Sequence, residues 1–441
     1  MSRESNVTSV FGHILIIILA GELIFALPFH LARFFRPTFL QAFELTNTQL
    51  GDIFAVYGVV AMLSYFPGGL IADRYAPNRL MSYSLLSTAA GGVYLLSGPS
   101  HFGLTLLFGF WGATTVLVFW AAMIKATRLS AAPNRQGFAF GLLDGGRGLA
   151  ASLFASGGIL LLSQGAFNPQ GDFNNSHDAF KAISSLIIYY TFLTVVAALL
   201  TWFFVSAERP EVDDNHSQTS LVAPHHSFWS ALRITLNNPL VWLQGGVVVC
   251  AYCGYKALDN YSLFVVQAFN WSQVEGAQFI TFASYSRPIA ALAAGILADR
   301  LRTSRMTYIL FASLGLAFLG IAWLANFNSA VTLLLAMLLF TFFAVFALRG
   351  IYFALVDESQ IRMGATGTAV GIISVLGFTP DIFFASISGR MLDAGQNGFA
   401  YYFLFIGAIM FIGCLCALLL AKKVSKLGRL SDAQAKNSVT H

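Results

Sequence analysis

The sequence predicts an all-α membrane protein in which twelve crossing helices form two related six-helix bundles, and three observations predict it. Apolar residues make up 57% of the 441 positions and charged residues only 10%, against about a quarter charged in soluble chains. No globular core hides that much hydrocarbon surface, so the solvent must be lipid. The apolar residues also fall into runs of about twenty, the length that crosses about 30 Å of hydrocarbon as a helix. Finally, a Gly-x-x-x-Asp-Arg turn occurs twice, as Gly69-Leu-Ile-Ala-Asp73-Arg74 and as Gly295-Ile-Leu-Ala-Asp299-Arg300. The copies are about 226 residues apart, each between two apolar runs, as expected of a duplicated unit.

Taken in order, the candidate spans cover 11–36, 51–72, 80–98, 103–127, 137–163 and 183–206 in the first half. In the second they cover 239–267, 277–298, 306–326, 330–354, 366–390 and 398–421. Span 1 stays in the protein, because its apolar run is far too long for a signal peptide and lacks a small-x-small cleavage site. Spans 2 and 8 each end on the Asp-Arg turn, where water begins, and Gly69 and Gly295 are expected to let a neighbouring helix approach closely. Spans 5 and 11 are crowded with small residues, Gly137, Gly141, Gly145, Gly146 and Gly148 in one and Gly367, Gly371 and Gly377 in the other. Such faces suit helices that pack tightly in lipid or slide between states.

The long polar interruption at 207–238 divides the chain into an N-terminal bundle, 1–206, and a C-terminal bundle, 239–421, followed by a tail, 422–441. Its last part, 227–236, has apolar residues at helical spacing, which fits a short interfacial helix. His216, His225 and His226 lie in this solvated tract and read as polar linker, not as metal ligands. With the N-terminus inside, sixteen lysines and arginines fall on the cytoplasmic side and only Arg36, Lys181 and Arg390 outside. That bias places both termini in the cytoplasm. The net charge of +5 therefore reads as topology, and no nucleic-acid partner is expected. Cys250-x-x-Cys253 lies inside an apolar run with no further ligands nearby, so no metal is expected there. No phosphate-binding loop is present: the Gly-rich stretch 141–148 lacks a preceding strand and the Gly-Lys-Ser/Thr ending. ATP cannot drive the chain directly, and no cofactor is expected.

Ionisable residues at bilayer depth are the best functional signal. Six cations (Arg33, Lys125, Arg147, Lys256, Arg287, Arg349) and four acids (Glu22, Asp144, Asp259, Asp381) fall within spans. Each costs about 2.5 to 3.5 kcal/mol by insertion scales, so each needs a partner or a water-filled cavity. A cavity lined by the cationic surplus would favour an anionic solute. A purely structural role stands beside this, since Asp144 with Arg147 and Lys256 with Asp259 have the i,i+3 spacing of intrahelical ion pairs. Lys125 and Arg349, near the span ends, can snorkel. Glu22 and Arg33 are three helical turns apart on one face and cannot pair directly, and His30 lies about 60° from Arg33. The repeat offset carries His30 onto Lys256 and Arg33 onto Asp259.

The paired Asp-Arg turns resemble the signature between helices 2 and 3 of the major facilitator superfamily of secondary transporters. Here Ala76, Pro77 and Asn78 replace its usual further Gly and basic run. The segments Phe140-Gly-Leu-Leu-Asp-Gly-Gly-Arg-Gly148 and Arg349-Gly-Ile-Tyr-Phe-Ala-Leu-Val-Asp-Glu358 look like a bacterial branch of that family. The resemblance implies its fold, with helices 1, 4, 7 and 10 lining a central cavity, and an address in the bacterial inner membrane. It is also similar to the organophosphate:phosphate antiporters and related organic-anion transporters, which hold their anion between basic residues of helices 1 and 7. His30 falls near the first of those positions, and Lys256 is its helix 7 counterpart.

The expected function is secondary transport of a small organic anion by alternating access, coupled to protons or a counter-anion, by a chain that acts as a monomer without being an enzyme. His30, Arg33, Arg147, Lys256, Arg287 and Tyr255 are the expected substrate-binding residues. Glu22, Asp144, Asp259 and Asp381 are the expected proton carriers, and Gly69, Asp73, Arg74, Gly295, Asp299 and Arg300 the gating turns. Proton-coupled efflux of hydrophobic or cationic drugs, with Glu22 as the intramembrane acid, is the alternative, and a non-transporting membrane receptor is the reading from another class.

Overall fold

A computed structural model describes residues 2–130, 136–165, 172–205, 233, 235–324, 331–352, 354–355 and 366–439. Among these residues there are helices and no strands, and every predicted apolar run is helical. Among the described residues nine helices are individually long and apolar enough to cross a membrane, or ten when the bent pair Gly12–Leu23 and Ala26–Phe34 counts as one. Twelve were expected. The runs predicted at 80–98 and 239–267 form helices as well, Pro77–Leu95 and Pro239–Ala257, but each is only 19 residues long and carries polar or basic residues. The expected linker helix at 227–236 lies largely outside the described residues.

The solvent of this fold is written on its surface. Phe66, Leu63 and Phe203 are 77%, 73% and 71% exposed, which in water would be an aggregation hazard and in lipid is the ordinary contact face.

The duplication is visible in the backbone. The helix Asn47–Arg74 opens with a capping box, Thr46 to Gln49, and the helix Gln273–Ser284 with another, Ser272 to Glu275. Each satisfies two orphan donors of the first turn. Just before them, Glu44 and Asn270 adopt left-handed backbone at φ 51° and 54°. Both features repeat at the offset of the Asp-Arg turns.

The chain forms two compact units that cut across its two sequence halves. The first joins Met1–Asp214 with Leu258–Pro288 and Asp381–Phe399; the second joins Asn215–Ala257, Ile289–Pro380 and Ala400–His441. Three spans cross this division, and each is broken near it: by the 3₁₀ turn Leu258–Asn260, at Tyr285 between Gln273–Ser284 and Ser286–Leu301, and between Thr366–Gly377 and Pro380–Leu392.

Within the first unit, Ser2–Leu23 packs on Gln136–Gly165, Pro77–Leu95 on Ser176–Phe204, and Asn47–Arg74 on His101–Gly112. Gln136–Gly165 also packs on Gln273–Ser284. The tightest approach lies between Asn47–Arg74 and Pro380–Leu392. A Cβ added at Gly51 or Gly58 would collide with the backbone of Ala385 or Asp381, and one at Gly389 with the backbone of Asn47. Glycine is required there because backbone atoms cannot move aside as a side chain can. The same helices are tied at one end by Arg390, whose guanidinium donates to both Asp52 oxygens at 2.8 and 3.2 Å. Within the second unit, Pro239–Ala257 packs on Thr366–Gly377, and Thr303–Leu324 on Val331–Ile351.

Candidate functional site

Span 1 is not one regular helix. Ser2–Leu23 gives way to a π-helical turn, Ala26–His30, and then to Leu31–Phe34, with a bend of 44°. Pro28 lies in the turn; it lacks an N–H and disfavours regular α-helix. A residue inserted by a π turn rotates the remainder of the helix by about 100°. That rotation brings His30 onto the face of Glu22, eight residues earlier, where a regular helix would hold the two about 80° apart.

The result is a buried cluster. His30 Nε2 lies 3.0 Å from Glu22 Oε1, and Arg147 Nε donates to Glu22 Oε2 at 3.2 Å. Glu22 is only 5% exposed and His30 2%. The Arg147 guanidinium also faces the rings of Phe25 and Trp120, at 5.4 and 5.8 Å from their centroids, a geometry that stabilises a desolvated cation. His30 Nδ1 is buried without a hydrogen-bond partner among the described residues. A neutral imidazole with its proton on Nε2 would donate to Glu22 and leave Nδ1 as a lone acceptor.

A second pair lies where span 7 is broken. Asp259 is the middle residue of the 3₁₀ turn Leu258–Asn260, and Arg33 Nε donates to its Oδ1 at 2.5 Å. A third joins spans 8 and 5: Arg287 Nη2 donates to Asp144 Oδ1 at 3.0 Å. Two residues before Arg287, the hydroxyl of Tyr285 lies 2.9 Å from that of Ser156. The stem of Arg287 fills the space a Cβ would take at Gly148, which gives that glycine of span 5 a specific reason.

Several expectations are revised by this geometry. Asp144 and Arg147 do not close as an i,i+3 pair: Arg147 turns to Glu22 and Asp144 receives Arg287, because their neighbours in space offer better-aligned partners than the same helix does. Three of the six cations read from the sequence, Arg33, Arg147 and Arg287, each hold a carboxylate. Lys125 Nζ donates to the carbonyls of Ala72 and Tyr75 at 2.7 and 3.2 Å. It thereby caps the C-terminus of the helix that carries Asp73 and Arg74.

The expected close approach at Gly69 is also not made, since a Cβ there, or at Gly295, would meet no atom within 4 Å. The small residue used is Gly68, which faces the Val116 and Leu117 carbonyls; one residue along a helix is a turn of about 100° to another face. Asp73, Arg74 and Arg300 are exposed at the helix ends, and the side chain of Asp299 lies outside those described. Asp381 sits in the first turn of Pro380–Leu392, where a helix dipole favours an acid.

In the second unit, Lys256 is 4% exposed near the end of Pro239–Ala257. Tyr255 lies beneath Arg349, whose guanidinium carbon is 3.9 Å from the ring centroid.

Some polar contacts of the first unit carried no sequence signal. Gln273 donates to Gln41 at 2.6 Å and accepts from Thr38 at 2.7 Å, and Asp52 receives Ser386 as well as Arg390. Uncharged or loop-proximal residues of this kind look like ordinary span ends until the partner helix is in place.

Lipid-exposed helices with buried ion pairs between them are the pattern of a membrane transport protein. A sequence profile of the Major Facilitator Superfamily matches residues 11–385, and the chain belongs to that family. Among curated relatives, the Inner membrane protein YqcE of Escherichia coli K12 is 26% identical, covering 81% of each chain. The Inner membrane protein YihN of the same organism is 25% identical over 92% of this chain and 94% of its own. Among solved structures, a bacterial homolog of the human lysosomal transporter Spinster, inward-facing and occupied, aligns with a TM-score of 0.69 at 14% identity, over 95% of this chain and 96% of that one. The nucleoside transporter NupG aligns at 0.67 and 12% identity, over 92% and 98%. At these identities the structural likeness is one of fold. The chain is thus a multi-pass membrane transporter, not an enzyme.

Proposed function

We propose that this transporter moves a small organic anion, a carboxylate, sugar acid or phosphate ester, by alternating access coupled to protons or a counter-anion. The observation that carries the proposal is the cluster at Glu22: one buried carboxylate shared by His30 and Arg147. Protonating Glu22 would leave the Arg147 guanidinium without a counter-charge and His30 without its acceptor in a desolvated place, and an incoming anion would answer both. When the anion leaves, Arg147 and His30 again favour the ionised carboxylate and expel the proton. Coupling then needs no separate device.

Arg33 with Asp259 and Arg287 with Asp144 repeat the same arrangement of a cation held until an acid lets go. Lys256 and Tyr255 are further proposed anion-binding residues, and Asp381 a further acid that can carry a proton. The Asp-Arg turns, Asp73 with Arg74 and Asp299 with Arg300, are the proposed gates. The relatives named as inner membrane proteins and the distribution of basic residues support an inner-membrane location with both termini cytoplasmic.

Efflux of cationic drugs is the second reading, since Glu22 would suit a cation receptor. It is disfavoured because that carboxylate already faces two basic side chains. A thermal-shift screen of the purified protein against carboxylates, sugar acids, phosphate esters and cationic drugs separates the two, as only a binder of the native state raises its stability. Anions are expected to raise the melting temperature and to lose that effect with Lys256→Gln or Arg287→Gln. Stabilisation by cations alone, or anion uptake untouched in both variants, would overturn the proposal.

A further inference from the structure

The second unit holds a basic cavity of about 510 Å³ between the starts and ends of two helices, Thr303–Leu324 and Gly398–Val439. Its volume falls in the range of about 300 to 1,000 Å³ typical of small-molecule sites. Arg302, Arg305, Lys422 and Lys426 line it, together with Tyr308 and Leu418. Among the described residues none of the four cations is paired with a carboxylate, and no acid lines the cavity.

Helical spacing explains how the charges converge. Arg302, Arg305 and Tyr308 recur every three residues, and Leu418, Lys422 and Lys426 every four, so each set occupies one face. Arg302 is held in left-handed backbone, φ 70°, a conformation sparsely used by residues with a side chain. Its carbonyl nonetheless accepts from Met306 N at 3.1 Å and starts the helix. The two helices are pinned together one level deeper, where Cys414 Sγ donates to the Tyr308 carbonyl at 3.5 Å.

The apolar surroundings distinguish this site from a simple solvated patch. Lys422 and Lys426 follow directly on the apolar run that ends at Ala421 in their helix, the position at which basic residues meet headgroups. Just below them Leu415 and Leu419 are 57% and 41% exposed on one helix and Ile309 46% on the other. A phosphate at the cavity would therefore have a path for acyl chains directly beneath it.

We infer that this cavity binds the headgroup of an anionic phospholipid, with four cations suited best to a lipid that carries two phosphates. Basic pockets between membrane helices recognise such headgroups through charge-assisted hydrogen bonds, while the chains satisfy the apolar flank. The inference does not depend on what the transporter carries.

The test uses the purified full-length protein, delipidated and offered cardiolipin, phosphatidylglycerol, phosphatidylethanolamine or inorganic phosphate. Native mass spectrometry should retain one cardiolipin per chain, with a rise of several degrees in melting temperature. Retention should drop about tenfold in the triple variant Arg305→Gln, Lys422→Gln, Lys426→Gln, and survive in Arg305→Lys, Lys422→Arg, Lys426→Arg. Hydrogen exchange on the unmodified protein supplies a readout that needs no variant: cardiolipin should protect 302–308 and 418–426. Equal stabilisation by inorganic phosphate would mean a free-anion site and overturn the inference. So would undiminished retention in the Gln variant, or protection confined to other segments.

Discussion

Arg33 Nε donates to Asp259 Oδ1 at 2.5 Å, and the two residues are 226 positions apart, so each is bonded to its own counterpart in the other half of the sequence. Had both kept the same charge after duplication, they would repel at this distance. Arg in one copy and Asp in the other instead attract across the broken middles of spans 1 and 7. Removing either charge alone should destabilise the protein more than removing both. A double-mutant cycle of Arg33→Gln and Asp259→Asn, read by unfolding in detergent, should give a coupling energy of about 1 to 3 kcal/mol. Strict additivity would show that the contact contributes nothing.

Glu22 is the pivot of the proposed coupling, because it alone accepts from both His30 and Arg147. Glu22→Gln keeps the shape and removes the ionisable proton. In proteoliposomes this variant should lose at least about tenfold of uptake driven by a pH gradient, the scale of a single proton-transfer role. It should still exchange internal for external substrate. Undiminished gradient-driven uptake would move the coupling to another acid.

The glycines make opposite predictions at two positions. Gly58→Ala forces a methyl group against the backbone of Asp381 and should cost about 1 to 3 kcal/mol, the range for overpacking. Gly141→Ala meets nothing within 4 Å and should be neutral or stabilising by roughly 0.5 to 1 kcal/mol, since alanine favours helix over glycine. Thermal unfolding of the two variants side by side is the measurement, and equal melting temperatures would contradict the packing described.

Asp393 caps the helix Asn47–Arg74 from outside, accepting from the backbone N–H of Thr48 at 2.7 Å and of Asn47 at 3.2 Å, and from the Asn47 side chain at 3.0 Å. Burial alone would raise its pKa, but these bonds to Thr48 and Asn47 outweigh burial and hold it below the usual value. Because the folded carboxyl is the more acidic, its contribution is complete above the ordinary aspartate value of about 3.9 and is lost as the pH falls through the lower folded value. The stability gap between the wild-type protein and Asp393→Asn, at most about 1 kcal/mol for so exposed a group, should therefore be present near neutral pH and close as the pH falls below about 4. A gap that persists at the acid end would assign the effect to shape instead of charge.

The order and class of the helices were legible in the sequence, down to the duplication first seen in Asp73 and Asp299 and echoed by the capping boxes at Thr46 and Ser272. The pairing of the charges was not. Asp144 and Arg147 have ideal spacing for each other, yet Arg147 meets Glu22 and Asp144 meets Arg287, because partners on neighbouring helices compete with those on the same one. His30 was misplaced relative to Glu22 for a different reason: a regular period was assumed through a stretch that forms a π turn.

By itself, the sequence determined that the solvent is lipid, where the helices run, that the two halves repeat one unit, and which ionisable groups fall within the apolar runs. Those properties arise from composition and period, which act along the chain. Only the tertiary structure decided which acid holds which cation, which glycines carry a close approach, and that the cations at 302–305 and 422–426 converge on one cavity. These depend on side-chain direction and on helices brought together across hundreds of residues, and a local pattern contains neither.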